Sequence, residues 1–138
     1  MSHTARIVST GTDFAHRITL GPHQLLADEP PALGGRDAGP APFDLYLASL
    51  AACTAITLRM YAQKKGWDLG ELRAELSLSR DADDKLHVHR TLWASGALDD
   101  AQWARLLDVA ARTPVTKVMR EGAVIISARG TVGAEPAR

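Results

Sequence analysis

Three features of this sequence suggest chemistry beyond packing: one cysteine, one arginine among apolar neighbours, and an acid at a helix start. Cys53 is the sole cysteine, and its i−4 and i+4 neighbours are Ser49 and Thr57. On a helix these three share a face, a thiol between two hydroxyls. Such a stripe can floor a pocket where a thiolate accepts hydrogen bonds. The plain alternative is a small apolar side chain in a core, where cysteine is common. Reactivity requires a cation beside the sulfur and access to it. Arg90 stands in the alternating run Leu86, Val88, Arg90, Leu92 and Ala94. A guanidinium there must meet an acid or a thiolate, or snorkel out at the sheet edge. Asp44 is the candidate acid, although its place in a first helical turn also suits the helix dipole by itself.

Other constellations are weaker. His87 and His89 share one strand face, but no third ligand accompanies them, and they read as a solvated pair rather than a metal site. The Gly34-Gly35-Arg36-Asp37-Ala38-Gly39 stretch lacks the lysine and the preceding strong strand of a phosphate cradle. No Gly-x-Ser-x-Gly occurs, and Ser49 has no identifiable base.

The elements that must position these residues follow from turn chemistry and periodicity. Ala5–Ser9, Phe14–Leu20 and His23–Asp28 each alternate as short strands, separated by Thr10-Gly11-Thr12-Asp13 and Gly21-Pro22. Residues 29–41, with three prolines and three glycines, form a loop. Pro42 at the first helical position, Asp44 in the first turn, Lys64 and Lys65 in the last and Gly66 beyond agree on one helix over 42–65. Leu72 to Ser79 and Leu86 to Ala94 alternate as two further strands around the Asp81–Asp84 turn. Asp99 with Gln102 predicts a capping box, and Leu98 with Trp103 a hydrophobic staple, for a helix with core stripe Trp103, Leu106, Leu107 and Ala110. Thr113-Pro114 starts a short helix ending at Gly122, and Ala123–Thr131 closes as a strand. The expected order is βββ-α-ββ-αα-β, an α+β fold in one domain over residues 1–138, with 130–138 a loose C-terminal tail.

Composition bounds the rest. The 138 residues carry sixteen basic and sixteen acidic side chains, so no footprint for nucleic acid or an anionic membrane is present. Met1-Ser2-His3-Thr4 lacks the regions of a signal peptide. Leu45–Leu58 is bracketed by Asp44 and Arg59 at 14 residues, short of the roughly 20 that span a bilayer. A soluble, cytoplasmic protein is expected. One cysteine excludes an internal disulfide and an all-thiolate metal site. Eleven of those 14 residues are apolar or cysteine, on all sides of the axis, so the helix requires cover all round. One small sheet covers roughly one face; a second copy of the chain is expected to cover the other, as an obligate homodimer.

The segments Ala27-Asp28-Glu29-Pro30, Gly34 to Leu45, Leu47-Ala48-Ser49-Leu50-Ala51-Ala52-Cys53-Thr54, Arg59-Met60-Tyr61-Ala62 and Lys65-Gly66-Trp67, with Thr113-Pro114-Val115-Thr116-Lys117 later, resemble the OsmC/Ohr family. These are the osmotically inducible protein C and organic hydroperoxide resistance proteins, and the likeness is to the OsmC-like branch, over nearly the whole chain. The resemblance implies an intertwined homodimer with a long central helix. It also implies reduction of organic hydroperoxides by a reactive cysteine at the position of Cys53. Family members carry a second cysteine, which forms a disulfide with the first, where this chain has Thr113. Their activating glutamate follows the proline that begins the central helix; here that residue is Phe43, and Asp44 comes one place later. No motif aligns the family's arginine, and Arg90 takes that role from its inward face.

The function expected on this basis is an OsmC-like thiol peroxidase acting at a pocket between subunits. Cys53 is the nucleophile, Arg90 favours its thiolate and orients the peroxide, and Asp44 holds that arginine. Ser49, Leu50, Ile56, Thr57 and Met60, with Leu47, line the pocket. No cofactor is expected, and the partners are a small organic hydroperoxide and an external thiol reductant. The alternative is a non-catalytic dimeric binding protein for a small apolar ligand or thiol conjugate, with Cys53 merely packed. A thiol-dependent hydrolase, lacking a general base, ranks last.

Overall fold

The computed structural model describes residues 3–136; Met1, Ser2 and the last two residues of the expected tail lie outside the described residues. The elements are β1 (Arg6–Ser9), β2 (His16–Leu20), β3 (His23–Ala27), α1 (Pro42–Lys65), β4 (Leu72–Arg80), β5 (Leu86–Ala94), α2 (Asp100–Ala110) and α3 (Pro114–Glu121). The chain is α+β with antiparallel sheets. It divides into two compact units, one formed by the residues before Tyr46 and those after Val124, the other by Tyr46–Val124.

In the first unit β1, β2 and β3 form an antiparallel sheet in sequence order, with Ile18 opposite both Ile7 and Leu25. The stretch after β3 is not an unbroken loop. Pro31–Leu33 forms a 3-10 turn, because proline pre-sets its opening φ and the Leu33 N–H reaches the Pro30 carbonyl at 2.9 Å. Asp28 organises the remainder of this connection. Its buried carboxylate accepts the backbone N–H groups of Glu29 (2.8 Å), Arg36 (3.1 Å) and Ala38 (3.1 Å). Gly35 is required because a Cβ there would run into the Glu29 carbonyl.

These bonds, the one from Ala38 foremost, hold the Asp28 carboxyl below its ordinary value of 3.8, with burial opposing them. A carboxylate depressed in the folded state stabilises above its unfolded value and stops doing so as pH falls through the lowered one. Asp28→Asn, which presents an N–H donor to backbone donors, should therefore lower the Tm at pH 7 and flatten the loss of Tm below pH 3.8. Thermal melts from pH 7 to pH 2 check this; parallel acid limbs for the two proteins would assign acid sensitivity elsewhere.

The second unit is built on α1. Its buried residues Leu50, Thr54, Leu58 and Ala62 recur every four positions and so form one stripe. Leu58 and Ala62 join Leu69, Leu106 and Ala110 in the core, flanked by Tyr61, Trp67, Leu72, Leu92, Leu98, Trp103 and Val109. By length and composition α1 alone would reach across a bilayer; one face of it, the stripe from Leu50 to Ala62, is buried in this unit. β4 and β5 pair antiparallel, with Leu76 opposite Arg90. The capping box at Asp99 and Gln102 is complete, and Leu98 and Trp103 both pack on the core as a staple requires.

Two expectations are corrected. Leu107 does not belong to the core stripe of α2: it is 53% exposed, and Val109 packs on the core instead. Residues 123–131 form no strand. Their apolar run is present, but a strand needs a ladder partner, and none pairs with them among the described residues. Val124, Ile125 and Ile126 are 90%, 86% and 88% exposed.

Candidate functional site

Within the second unit the inward face of β5 points Arg90 at three elements at once. Its Nη1 donates to Thr54 Oγ1 on α1 (2.8 Å) and to Thr116 Oγ1 on α3 (3.1 Å). Its Nη2 donates to the Ala110 carbonyl at the end of α2 (2.8 Å), where the helix dipole favours a cation. The acceptors are themselves anchored. Thr54 Oγ1 donates to the Leu50 carbonyl (2.7 Å) and Thr116 Oγ1 to that of Ala110 (3.2 Å).

Thr113 completes the arrangement. It is the N-cap of α3, as the Thr-Pro pair predicts, and its Oγ1 accepts the Thr116 N–H (3.4 Å). It also lies 2.6 Å from Thr116 Oγ1. Because Thr116 gives its proton to Ala110, the Thr113 hydroxyl is the donor in that pair. Thr54, Thr113 and Thr116 are all buried.

Cys53 precedes Thr54 on α1. It is partly buried, a free thiol, with Sγ 3.9 Å from Thr57 Oγ1. Burial lowers the Arg90 pKa from its ordinary value, and attraction to Cys53 opposes that shift. Among the described residues no carboxylate lies within ion-pair distance of Arg90. Asp44 instead accepts the Ala41 N–H (3.0 Å) at the start of α1. Neutral groups thus occupy the place that the sequence reading gives to Asp44.

The structure puts Leu50 in the cleft beside Arg90 and Thr57 beside Cys53, and leaves other named residues apart from them. Ser49 is exposed and donates to the Tyr46 carbonyl of its own helix (2.7 Å). Ile56 and Met60 are exposed on α1. A cleft of about 840 Å³ opens beside Arg90, walled by Leu50, Leu86, Val88, Leu92, Leu107 and Met119; Cys53 does not line it. Among the described residues no group of three or more His, Cys, Asp or Glu side chains could hold a metal ion.

Thr54 and Thr116 escape the sequence reading. A signal for Thr54 exists: it is the polar member of the otherwise apolar stripe Leu50, Thr54, Leu58, Ala62. For Thr116 nothing local distinguishes a ligand of arginine from an ordinary first-turn threonine.

Fold and site together define an α+β protein with a lone thiol on its long helix and a half-buried arginine tied to the next residue of that helix. Residues 34–128, more than half of the chain, match the family of OsmC-like proteins, and the chain belongs to that family. Among solved structures it is similar to a putative osmotic stress induced and detoxification response protein from Psychrobacter arcticus. That likeness has 24% identity and a TM-score of 0.73 over 85% of this chain and 87% of the other. It is similar to an organic hydroperoxide resistance protein OsmC from Legionella pneumophila (21% identity, TM-score 0.63, 87% and 90% covered). It is also similar to the organic hydroperoxide resistance protein OhrB of Bacillus subtilis (24% identity, TM-score 0.58, 87% and 91% covered). At these identities the likeness establishes the fold. No curated protein matches the sequence.

Proposed function

We infer that this protein is a homodimeric, cytoplasmic, one-cysteine thiol peroxidase that reduces organic hydroperoxides. The observation that carries the reading is Arg90, half-buried and held by neutral partners only, one of them Thr54, the residue after Cys53 on α1. A carboxylate partner would offset the guanidinium's field; three neutral acceptors leave it available to a thiolate. The names of the Legionella and Bacillus relatives support the same chemistry.

The thiolate sulfur of Cys53 attacks the terminal oxygen of ROOH and the O–O bond breaks. The alkoxide leaves and takes up a proton as ROH, while the sulfur is left as a sulfenic acid. With Thr113 where the family resemblance puts a second cysteine, no disulfide can close within one chain. An external thiol must condense with the sulfenic acid, releasing water, and a second thiol then frees Cys53 from the mixed disulfide.

Stopped-flow oxidation of the reduced protein by cumene hydroperoxide tests this. The expected result is a rate constant well above that of free cysteine, and one sulfenic acid per chain trapped by dimedone. A rate no faster than free cysteine would sink the enzymatic reading. A second reading, a dimeric binding module for an apolar ligand or thiol conjugate, is favoured by the cleft beside Arg90 that Cys53 does not line. Alkylation separates the two: an activated Cys53 reacts at pH 6, whereas an inert one reacts only after denaturation.

A further inference from the structure

We propose that Thr54, Thr116 and Thr113 are positioning residues for the peroxidase reaction, a hydroxyl chain that ties Arg90 to α1 at the residue after Cys53, in place of a carboxylate. This rests on the peroxidase reading and adds to it which groups fix the cation.

An arginine side chain has several rotatable bonds, and ordering it costs rotamer freedom. A single ligand would leave the guanidinium able to swing. Here Nη1 is clamped between α1 and α3, and Nη2 is tied to the end of α2. Each acceptor is fixed in turn. Thr54 Oγ1 is locked to the carbonyl one turn back on its own helix. Thr116 Oγ1 sits between the Ala110 carbonyl and the Thr113 hydroxyl.

The chain of contacts therefore runs from Thr113, at the start of α3, through Thr116 and Arg90 to Thr54, the residue next to Cys53. Every link is a hydroxyl or a carbonyl, so the only full charge in it is the guanidinium. Thr113 then has a positive role: the residue in the place of a second cysteine helps to hold the cation that activates the first.

The cradle also leaves room for the reaction. Two Nη1 bonds and one Nη2 bond account for three of five N–H donors. Nε makes no hydrogen bond among the described residues, yet no side-chain nitrogen or oxygen is both buried and unsatisfied. Nε is thus reachable by solvent. The hydroxyls fix one edge of the guanidinium and leave donors at the other to meet a thiolate or a peroxide oxygen.

The test compares Thr116→Val, Thr116→Ser and Arg90→Met in the full chain, using Cys53 alkylation by iodoacetamide at pH 6 and pH 10. Thr116→Val keeps the shape and removes the acceptor. It should slow alkylation at pH 6 about tenfold, or about 1.4 kcal/mol in the barrier. At pH 10 the rate should be unchanged, because there ionisation no longer limits it. Thr116→Ser should restore the pH 6 rate, which a merely structural role for the methyl group would not predict. If Thr116→Val does not fold, Thr113→Val with Thr113→Ser reads the next link of the chain in the same way. Should Arg90→Met slow the pH 6 reaction while Thr116→Val leaves it unchanged, the positioning proposal fails and the peroxidase reading survives. Should neither variant change it, the activation of Cys53 by Arg90 fails as well.

Discussion

Arg90→Met should slow the oxidation of Cys53 by cumene hydroperoxide about a hundredfold at pH 7 while leaving the Tm unchanged or higher. The two effects have opposite signs because the guanidinium serves the thiolate rather than the fold. A donor aimed at the charge that develops in the transition state is worth roughly a hundred- to a thousandfold in rate, so removing the guanidinium slows the reaction. The fold loses little. Thr54 Oγ1 keeps the Leu50 carbonyl and Thr116 Oγ1 keeps the Ala110 carbonyl, so no donor is orphaned when the arginine goes. Burial already works against the charge of Arg90, and an unbranched apolar side chain of similar length removes that cost. Stopped-flow kinetics and a thermal melt on the same preparation give both numbers. An unchanged rate would remove Arg90 from the mechanism, and a Tm lowered by many degrees would make it a structural residue.

What the sequence reveals and what it conceals divide along the range of the interactions. The bounds of α1 are legible because each end signal is local: Pro42 and Asp44 at one end, Lys64 and Lys65 at the other. The capping box of α2 spans three residues and is legible for the same reason. The inward face of β5 follows from alternation alone. The ligands of Arg90 do not, because they lie 36, 26 and 20 residues away in the chain. No periodicity connects a strand arginine to a helix-cap threonine or to a main-chain carbonyl. Charge complementarity pointed to Asp44, but Arg90 takes three neutral oxygens, and neutral oxygens are too common in any sequence to single out. Residues 123–131 show the same limit. Their composition suits a strand, but a ladder depends on a neighbour that the described chain does not supply.

That unpaired segment and the outer face of α1 lead to the second large effect, on assembly. Opposite the buried stripe of α1, Ala48, Ala52, Ile56 and Met60 are exposed at four-residue intervals, with Ile56 and Met60 more than half exposed. A homodimer should therefore form whose Tm rises with protein concentration, since folding and association are then linked. Ile56→Asp should abolish it. The substitution would put an unpaired carboxylate into the interface, at a cost of several kcal/mol, and twofold symmetry repeats that cost on the second subunit. Ser77→Asp, on the exposed face of β4, is the control and should stay within about 0.5 kcal/mol of the parent. Analytical ultracentrifugation and melts across a hundredfold range of concentration give the answer. A 14.8 kDa species with a concentration-independent Tm would show that α1 needs no second copy, and the exposed Val124, Ile125 and Ile126 would then require a different partner.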